Sequence, residues 1–257
     1  MARANRYFIP GYIWHLTHRC HKKEFLLKFD KDKKNWMSWL FEAKKRYGLS
    51  ILNYVVTSNH VHLLVLCEKD QNVVSKSMQL IAGRTAQEYN LRKNRRGAFW
   101  QDRYHATAIE YGTHLIQCMI YIDLNMVRAG VVSHPAEWPF GGFYEIQNER
   151  KKFNRIDRKR LMKIFGYVGE MEIRENRKNV IDEALRTERH PQRDYMWTES
   201  VGVGSSRFLE QLKERLGIKS GMRRVVEGRG THELKKELAA SNDVFDTQKG
   251  YSGPKKE

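Results

Sequence analysis

Residues 51–66 read ILNYVVTSNHVHLLVL, two apolar runs separated by the polar residues 57–59. β-Branched and aromatic residues are frequent in both runs, and a short polar break between two such strands is typical of an antiparallel hairpin. His60 and His62 lie in the second run, with Val61 between them. Because side chains alternate along a strand, both imidazoles face one side of the hairpin and Val61 faces the other. The hairpin therefore predicts two neighbouring histidines on one face of a sheet.

Strands and helices alternate on both sides of this hairpin. The pattern predicts a strand over 12–20, helices over 32–47 and 72–91, an extended segment over 99–109 and a helix over 113–128. Gly48 and Gly130 follow two of these helices, where a C-terminal cap is expected. This order of elements predicts an α+β domain with an antiparallel sheet and helices packed on one face.

The charge of the chain indicates the kind of partner. The 257 residues include 47 Lys and Arg against 30 Asp and Glu, a formal net charge of +17. Such an excess favours a polyanion, most often nucleic acid. No run approaches the ~20 apolar residues of a membrane span, and no signal-peptide pattern follows the basic N-terminus. We therefore expect a cytoplasmic protein without a membrane partner, whose three cysteines are free thiols.

The composition changes after residue 139, which suggests more than one region. We expect a first domain over 1–148, a basic, mostly helical accessory region over 149–240 that could bind DNA, and a disordered tail over 241–257. Lys and Arg are frequent over 149–160, which is typical of a linker or a solvated helix.

The histidine pair is a candidate metal site. Two imidazoles side by side can donate to one divalent ion, although two packed or hydrogen-bonded histidines at a strand end would show the same sequence. The predicted helix over 113–128 carries Gln117, Tyr121, Asn125 and Arg128 on one face, at spacings of four, four and three. Tyr121 can be a nucleophile, Asn125 can offer its amide oxygen to the same ion, and Arg128 can hold a phosphate.

Other groups fit these roles less well. Tyr104 and Tyr111 are alternative nucleophiles, but neither has a ligand-type residue one helical turn later. Five further histidines are interpreted as packing, DNA-facing or unpaired groups: His15, His18, His21, His105 and His114. The candidate DNA-binding residues besides Arg128 are a dense basic loop and two arginines near the site segments: Arg92, Lys93, Arg95, Arg96, Arg19 and Arg103.

Two motifs together resemble a known family. The segments NHVHLL at 59–64 and YIDLNMVRAG at 121–130 look like the REP-associated tyrosine transposases, which are single-tyrosine HUH transposases. The resemblance covers roughly residues 7–144. It implies a ferredoxin-like fold in which His60 and His62 bind the metal, Tyr121 is the nucleophile and Asn125 is the polar residue one turn beyond. The family commonly has Pro where this chain has Met126, which predicts a straighter last turn.

The resemblance also implies an activity. It is metal-dependent cleavage and transfer of single-stranded DNA at hairpin-forming sequences, through a covalent 5′-phosphotyrosine intermediate and with Mg²⁺ or Mn²⁺. The implied partner is single-stranded or hairpin DNA. A homodimer, in which the tyrosine serves the partner's site, is one alternative to a monomer. Two other functions stay open: a non-catalytic DNA-binding protein on the same fold, and a rolling-circle replication initiator or relaxase.

Overall fold

The computed structural model describes residues 7–148, 152–187, 194–217, 223–228 and 231–236. The predicted hairpin is confirmed: β2 (Ser50–Val56) and β3 (His60–Leu66) pair antiparallel, with Val56 opposite Val61. Almost every position of both strands is buried, because their apolar runs cover both faces of the sheet.

The hairpin is part of a four-stranded antiparallel unit. β1 (Ile13–Arg19) lies between β3 and β4 (His105–Ile109), which gives the order β2-β3-β1-β4. The connections contain α1 (Asp30–Tyr47) and α2 (Asn72–Arg92), which pack against each other. This strand–helix–strand–strand–helix–strand order confirms the predicted ferredoxin-like α+β fold.

The two faces of the sheet carry different helices. On the α2 face, Trp100 stacks on His18 with ring centroids 4.0 Å apart, and its indole N–H donates to the Ala82 carbonyl of α2. On the opposite face lies α3 (Thr113–Asp123), where the Asn53 amide donates to the Asp123 carboxylate at 2.8 Å. The predicted packing of helices on one face therefore applies to α1 and α2 only. The other face is also covered, because the strands are buried on both sides.

The helix predicted over 113–128 is broken in two. α3 ends at Asp123, and α4 (Asn125–Arg128) follows after Leu124, whose ψ of 6° is not helical. The straighter last turn expected from Met126 stays a prediction, because the break lies before that residue. The break needs no proline, because the Arg128 guanidinium donates to the Tyr121 carbonyl at 2.6 Å in the turn where the helix is interrupted.

The later part of the chain continues both the helical layer and the sheet. Its helices are α5 (Gly142–Gln147), α6 (Arg158–Phe165), α7 (Glu170–Arg186), α8 (Met196–Glu199) and α9 (Ser206–Leu216). Its strands are β5 (Gly202–Gly204), β6 (Arg223–Gly228) and β7 (Thr231–Lys236). β5 pairs parallel with β4, and the sheet order is β2-β3-β1-β4-β5-β7-β6.

The described part of the accessory region is mostly helical, as predicted, and it also contains three short strands that the sequence does not predict. β5 has only three residues, two of them glycine, so it carries little strand signal. The glycines are needed for packing: a Cβ on Gly202 would lie 2.4 Å from Leu212 of α9. The predicted boundary at residue 148 stays a prediction, and the predicted tail over 241–257 lies outside the described residues.

The interpretation of 149–160 as a linker or solvated helix is wrong for two of its arginines. Arg155 and Arg158 are only 7% and 8% exposed. Arg155 forms an ion pair with Glu145 at 3.2 Å, and Arg158 donates to the Glu145 carbonyl and to Glu170. These partners allow two charged side chains to be buried, and burial of this kind does not follow from composition.

Two simpler expectations concern membranes and thiols. Within the described ranges, none of the helices combines the length and apolarity that crossing a bilayer requires. The three cysteines, Cys20, Cys67 and Cys118, are buried free thiols as predicted.

Candidate active site

His60 begins β3, and its orientation is fixed by the turn before it. Its Nδ1 lies 2.7 Å from the amide oxygen of Asn59 and 2.9 Å from the hydroxyl oxygen of Thr57. An amide oxygen only accepts, so Nδ1 carries the proton. The lone pair of the neutral ring is then on Nε2, the arrangement that a metal-binding histidine needs.

His62 lies two residues further along the same face, with its ring centroid 5.0 Å from that of His60. It is 2% exposed, and burial followed by the nearby His60 and His15 holds its pKa well below the usual 6.5. Its Nδ1 is 2.9 Å from Nε2 of His15, and its Nε2 is 3.2 Å from the amide nitrogen of Asn125. His62 is therefore neutral at pH 7, as a metal ligand must be.

His15 lies behind the pair, on β1. It is fully buried, and burial lowers its pKa from 6.5 to about 3 despite a hydrogen bond to a backbone carbonyl. That bond joins its Nδ1 to the Trp197 carbonyl of α8 at 2.9 Å. The interpretation of His15 as a packing or DNA-facing group missed this connection between the histidine pair and the later part of the chain.

Tyr121 lies on α3 against the same rings. Its ring centroid is 5.7 Å from that of His62, 6.2 Å from that of His15 and 6.1 Å from that of Trp197. The guanidinium carbon of Arg128 lies 4.3 Å from the Tyr121 ring centroid. Tyr121 is 2% exposed, so in this conformation the candidate nucleophile is covered.

The structure brings together most of the residues predicted from the two motifs. His60, His62, Tyr121, Asn125 and Arg128 form one group across β3 and the broken helix. Gln117, predicted on the same helix face, instead lines a different cavity of about 720 Å³ between α3, α7 and α8.

The donor set fits a divalent ion. Within the ranges that the structure covers, no three His, Cys, Asp or Glu side chains are grouped as metal ligands. The Asn125 amide is the candidate for a third protein donor, because its nitrogen faces His62 and it can rotate to offer its oxygen. Two imidazole nitrogens and one amide oxygen are suitable ligands for Mn²⁺. They are also compatible with Mg²⁺, which usually keeps several water ligands.

A cleft of about 280 Å³ opens beside the histidine pair. Two of the predicted DNA-binding residues, Arg19 and Arg103, lie on its walls together with His60 and His62. The remaining lining residues come from β1, β4, the loop before β4 and α8: Thr17, His18, Gln101, Asp102, His105, Thr198 and Glu199. The sequence did not predict that α8 contributes to this cleft.

The basic loop after α2 divides into two pairs. Arg92 forms an ion pair with the buried Asp32, and Arg95 donates to the Ala98 carbonyl at 3.0 Å and contacts Glu24. Lys93 and Arg96 are exposed. Arg92 and Arg95, two of the four residues predicted to contact phosphate, therefore also hold this basic segment in place.

Residues 9–125 match the family model of the IS200-like transposases, Y1_Tnp. The sequence matched none of the curated proteins.

Two solved structures are similar in fold. One is a REP-associated tyrosine transposase described as bound to a REP hairpin: 22% identity over 60% of this chain and 90% of that one, with a TM-score of 0.48. The other is a protein from Deinococcus radiodurans assigned as a transposase: 15% identity over 48% of this chain and 93% of that one, with a TM-score of 0.33.

Proposed function

From the match of residues 9–125 to the family model of the IS200-like transposases, we propose that the chain cleaves and rejoins single-stranded DNA through a phosphotyrosine bond to Tyr121. The observation that carries the proposal is the contact among Tyr121, His62 and Asn125, which lie on three elements, α3, β3 and α4. His62 lies 3.2 Å from Asn125 and its ring 5.7 Å from that of Tyr121.

His60, His62 and Asn125 would hold the divalent ion, Mg²⁺ or Mn²⁺. When bound, such an ion polarises the scissile phosphate and offsets the charge that develops on it. The Nδ1 atoms of both histidines donate to partners on the side away from the site, so their Nε2 lone pairs are available to the ion. The Asn125 amide, which donates to His62 in this structure, is the group that must turn.

Tyr121 would supply the attacking oxygen. Its phenol oxygen forms a bond to phosphorus, the bond from phosphorus to the 3′ oxygen breaks, and that oxygen takes a proton. The product is a 5′-phosphotyrosine and a free 3′-hydroxyl. Because the tyrosyl ester keeps the bond energy, a second 3′-hydroxyl can reverse the step without ATP. Tyr121 is covered in this structure, so the substrate must gain access to its hydroxyl.

Arg128, Arg19 and Arg103 would bind the DNA backbone near the scissile phosphate. Arg128 contacts Tyr121 directly, and the two others lie on the walls of the cleft. Guanidinium groups bind phosphate through paired hydrogen bonds, which makes them suitable for this position. Lys93 and Arg96 would contact the DNA further away. The proposed substrate is a single DNA strand beside a hairpin. The proposed location of the reaction is the cytoplasm.

The arrangement supports cleavage by a single chain. Tyr121 reaches the histidine pair of its own chain, so both halves of the site are present in one molecule. A homodimer that exchanges tyrosine helices is the alternative.

The test is formation of a covalent adduct with hairpin DNA that carries a single-stranded flank, in Mn²⁺. A strand labelled at its 3′ end should migrate with the protein, and the same strand labelled at its 5′ end should be released. Tyr121→Phe should abolish the adduct and keep DNA binding, whereas Tyr111→Phe, at an exposed tyrosine, should react normally. His62→Ala and chelation of the metal should each prevent cleavage.

The outcomes separate the alternatives. An adduct that survives Tyr121→Phe would show that the nucleophile is another residue. Hairpin binding without any adduct would favour the non-catalytic DNA-binding protein. Cleavage without rejoining of an added 3′-hydroxyl strand would contradict strand transfer, and preference for a duplex origin would favour a replication initiator or relaxase.

A further inference from the structure

We infer that His15 is a positioning residue that fixes which nitrogen of His62 faces the metal, and that the Trp197 carbonyl of α8 is its anchor. The inference rests on the proposed function, because it assigns a role within the same site. It adds a residue outside both motifs, and it makes the later part of the chain a component of the site.

The Trp197 carbonyl determines which atom donates in each hydrogen bond of the series. A carbonyl oxygen only accepts, so the Nδ1 of His15, 2.9 Å from the Trp197 oxygen, must carry a proton. His15 is a buried, neutral ring, and its second nitrogen is therefore an acceptor. That nitrogen lies 2.9 Å from Nδ1 of His62. His62 must then donate through Nδ1.

The hydrogen bond between His62 and Asn125 has the same donor-to-acceptor direction. With its proton on Nδ1, His62 has its lone pair on Nε2, toward Asn125. The Asn125 amide N–H donates to that lone pair at 3.2 Å. Three successive N–H groups thus donate in one direction, from Asn125 through His62 and His15 to the Trp197 carbonyl, and no contact in the series joins two donors or two acceptors.

The sheet register makes this contact available. β1 and β3 pair with Thr17 opposite His62 and His15 opposite Leu64, so His15 and His62 are diagonal neighbours on one face. Their rings stack with centroids 5.0 Å apart and planes inclined by 13°. This near-parallel alignment allows a hydrogen bond between the two ring nitrogens.

The anchor is held from the neighbouring strand. The Thr107 hydroxyl lies 2.7 Å from the Ser200 carbonyl and 3.3 Å from the Trp197 carbonyl, and His105 contacts the Ser200 carbonyl at 2.8 Å. These contacts fix the end of α8 against β4 without touching His62. Thr107→Val removes one of these contacts and leaves His105 on the Ser200 carbonyl. It is therefore a matched control that alters a buried neighbour but keeps both the anchor and the His15 ring.

The first measurement reads the protonated nitrogen of His62 directly, by ¹⁵N-detected NMR of the metal-free native protein with histidine labelling. We expect His62 to be protonated on Nδ1. In His15→Leu the His62 signals should shift toward a mixture of the two tautomers, and His15→Gln, which restores an acceptor, should recover most of the native pattern. Thr107→Val should leave the pattern native.

The second measurement is Mn²⁺ affinity by titration calorimetry, with thermal melting as the control for folding. Outer hydrogen-bond partners of metal-binding histidines contribute roughly 10- to 100-fold in affinity, so His15→Leu should bind Mn²⁺ weaker by about that factor. His15→Gln should lose less, and Thr107→Val should bind as the native protein does.

The two proposals can fail separately. A proton on Nε2 of His62 in the native protein, or an unchanged His62 pattern in folded His15→Leu, would overturn the role of His15 whatever the metal does. Native His62 protonated on Nδ1, in a protein that binds no Mn²⁺ through His60 and His62, would keep the role of His15 and contradict the metal site of the proposed function.

Discussion

The guanidinium of Arg128 donates to the carbonyl oxygen of Tyr121 at 2.6 Å, in the turn where the helix that carries the tyrosine is broken. The same guanidinium lies over the tyrosine ring, with its carbon 4.3 Å from the centroid. Arg128 therefore stabilises the break and sets the position of the Tyr121 side chain at once.

The first prediction concerns this contact. Arg128→Gln should slow adduct formation by roughly 10- to 100-fold, because hydrogen bonds to charged groups contribute roughly 1.5–3 kcal/mol. The measurement is a single-turnover time course with saturating hairpin DNA. Arg186→Gln, which removes an exposed arginine of α7, is the control and should react at the native rate. An equal rate in both variants would contradict the role of Arg128.

The second prediction concerns the buried ion pair between Asp123 of α3 and Arg177 of α7. Asp123 also accepts from the Asn53 amide, and burial raises its pKa although Arg177 opposes that shift. Arg177→Met should lower the free energy of unfolding by about 3–5 kcal/mol, because it leaves a buried charge without its partner.

Urea denaturation checks this expectation. The double variant Arg177→Met with Asp123→Asn should recover much of the lost stability, because the remaining amide carries no charge. If Arg177→Met alone unfolds at the native urea concentration, the pair does not hold α3 against α7.

The third prediction separates the two kinds of residue in the basic loop. Replacing Lys93 and Arg96 by Gln should weaken hairpin binding and reduce the slope of log affinity against log salt by about 0.9 for each lost phosphate contact. Lys178→Gln, on the exposed side of α7, should leave the slope unchanged. Arg92→Gln should instead destabilise the fold, because it leaves the buried Asp32 without its ion pair. Fluorescence anisotropy over a range of salt concentrations measures the slopes.

The fourth prediction is a pH dependence of stability. The folded pKa of His15 is about 3 and its ordinary value is 6.5, so between these values the unfolded chain binds a proton that the folded protein does not. The free energy of unfolding therefore falls as the pH falls through this window. The pKa of His62 is lowered in the same direction and adds to the effect.

Removing one of these groups should weaken the dependence. We expect His15→Gln to lose less stability than the native protein when urea denaturation is repeated at pH 5 instead of pH 7. Equal losses would show that His15 is not held neutral by the fold.

Local patterns were sufficient for the central hairpin and for the long helices. The alternation around Val61 and the helical spacing over α1 and α2 depend on neighbouring residues only. In the structure, β3, α1 and α2 each begin and end within two residues of the predicted positions. The fold class follows from their order. The two site motifs were also recognisable, because each is contained in one short segment.

Long-range contacts could not be read in the same way. The role of His15 depends on the register of β1 against β3 and on a carbonyl of α8, neither of which leaves a pattern around residue 15. The burial of Arg155 depends on Glu145 and on the Met37 carbonyl, which lies 118 residues away in the sequence. The break at Leu124 depends on a side chain four residues later.

The contact between His15 and Trp197 joins positions 182 residues apart. A ribosome adds about 5–20 residues per second, so roughly 10 to 40 seconds separate the synthesis of these two residues. From residue 130 onward the nascent chain contains both motifs and His15, but the Trp197 carbonyl that anchors His15 has not yet been synthesised. On the role proposed for His15, the tautomer of His62 is then not yet fixed, and full affinity for the metal begins only late in the synthesis of the chain.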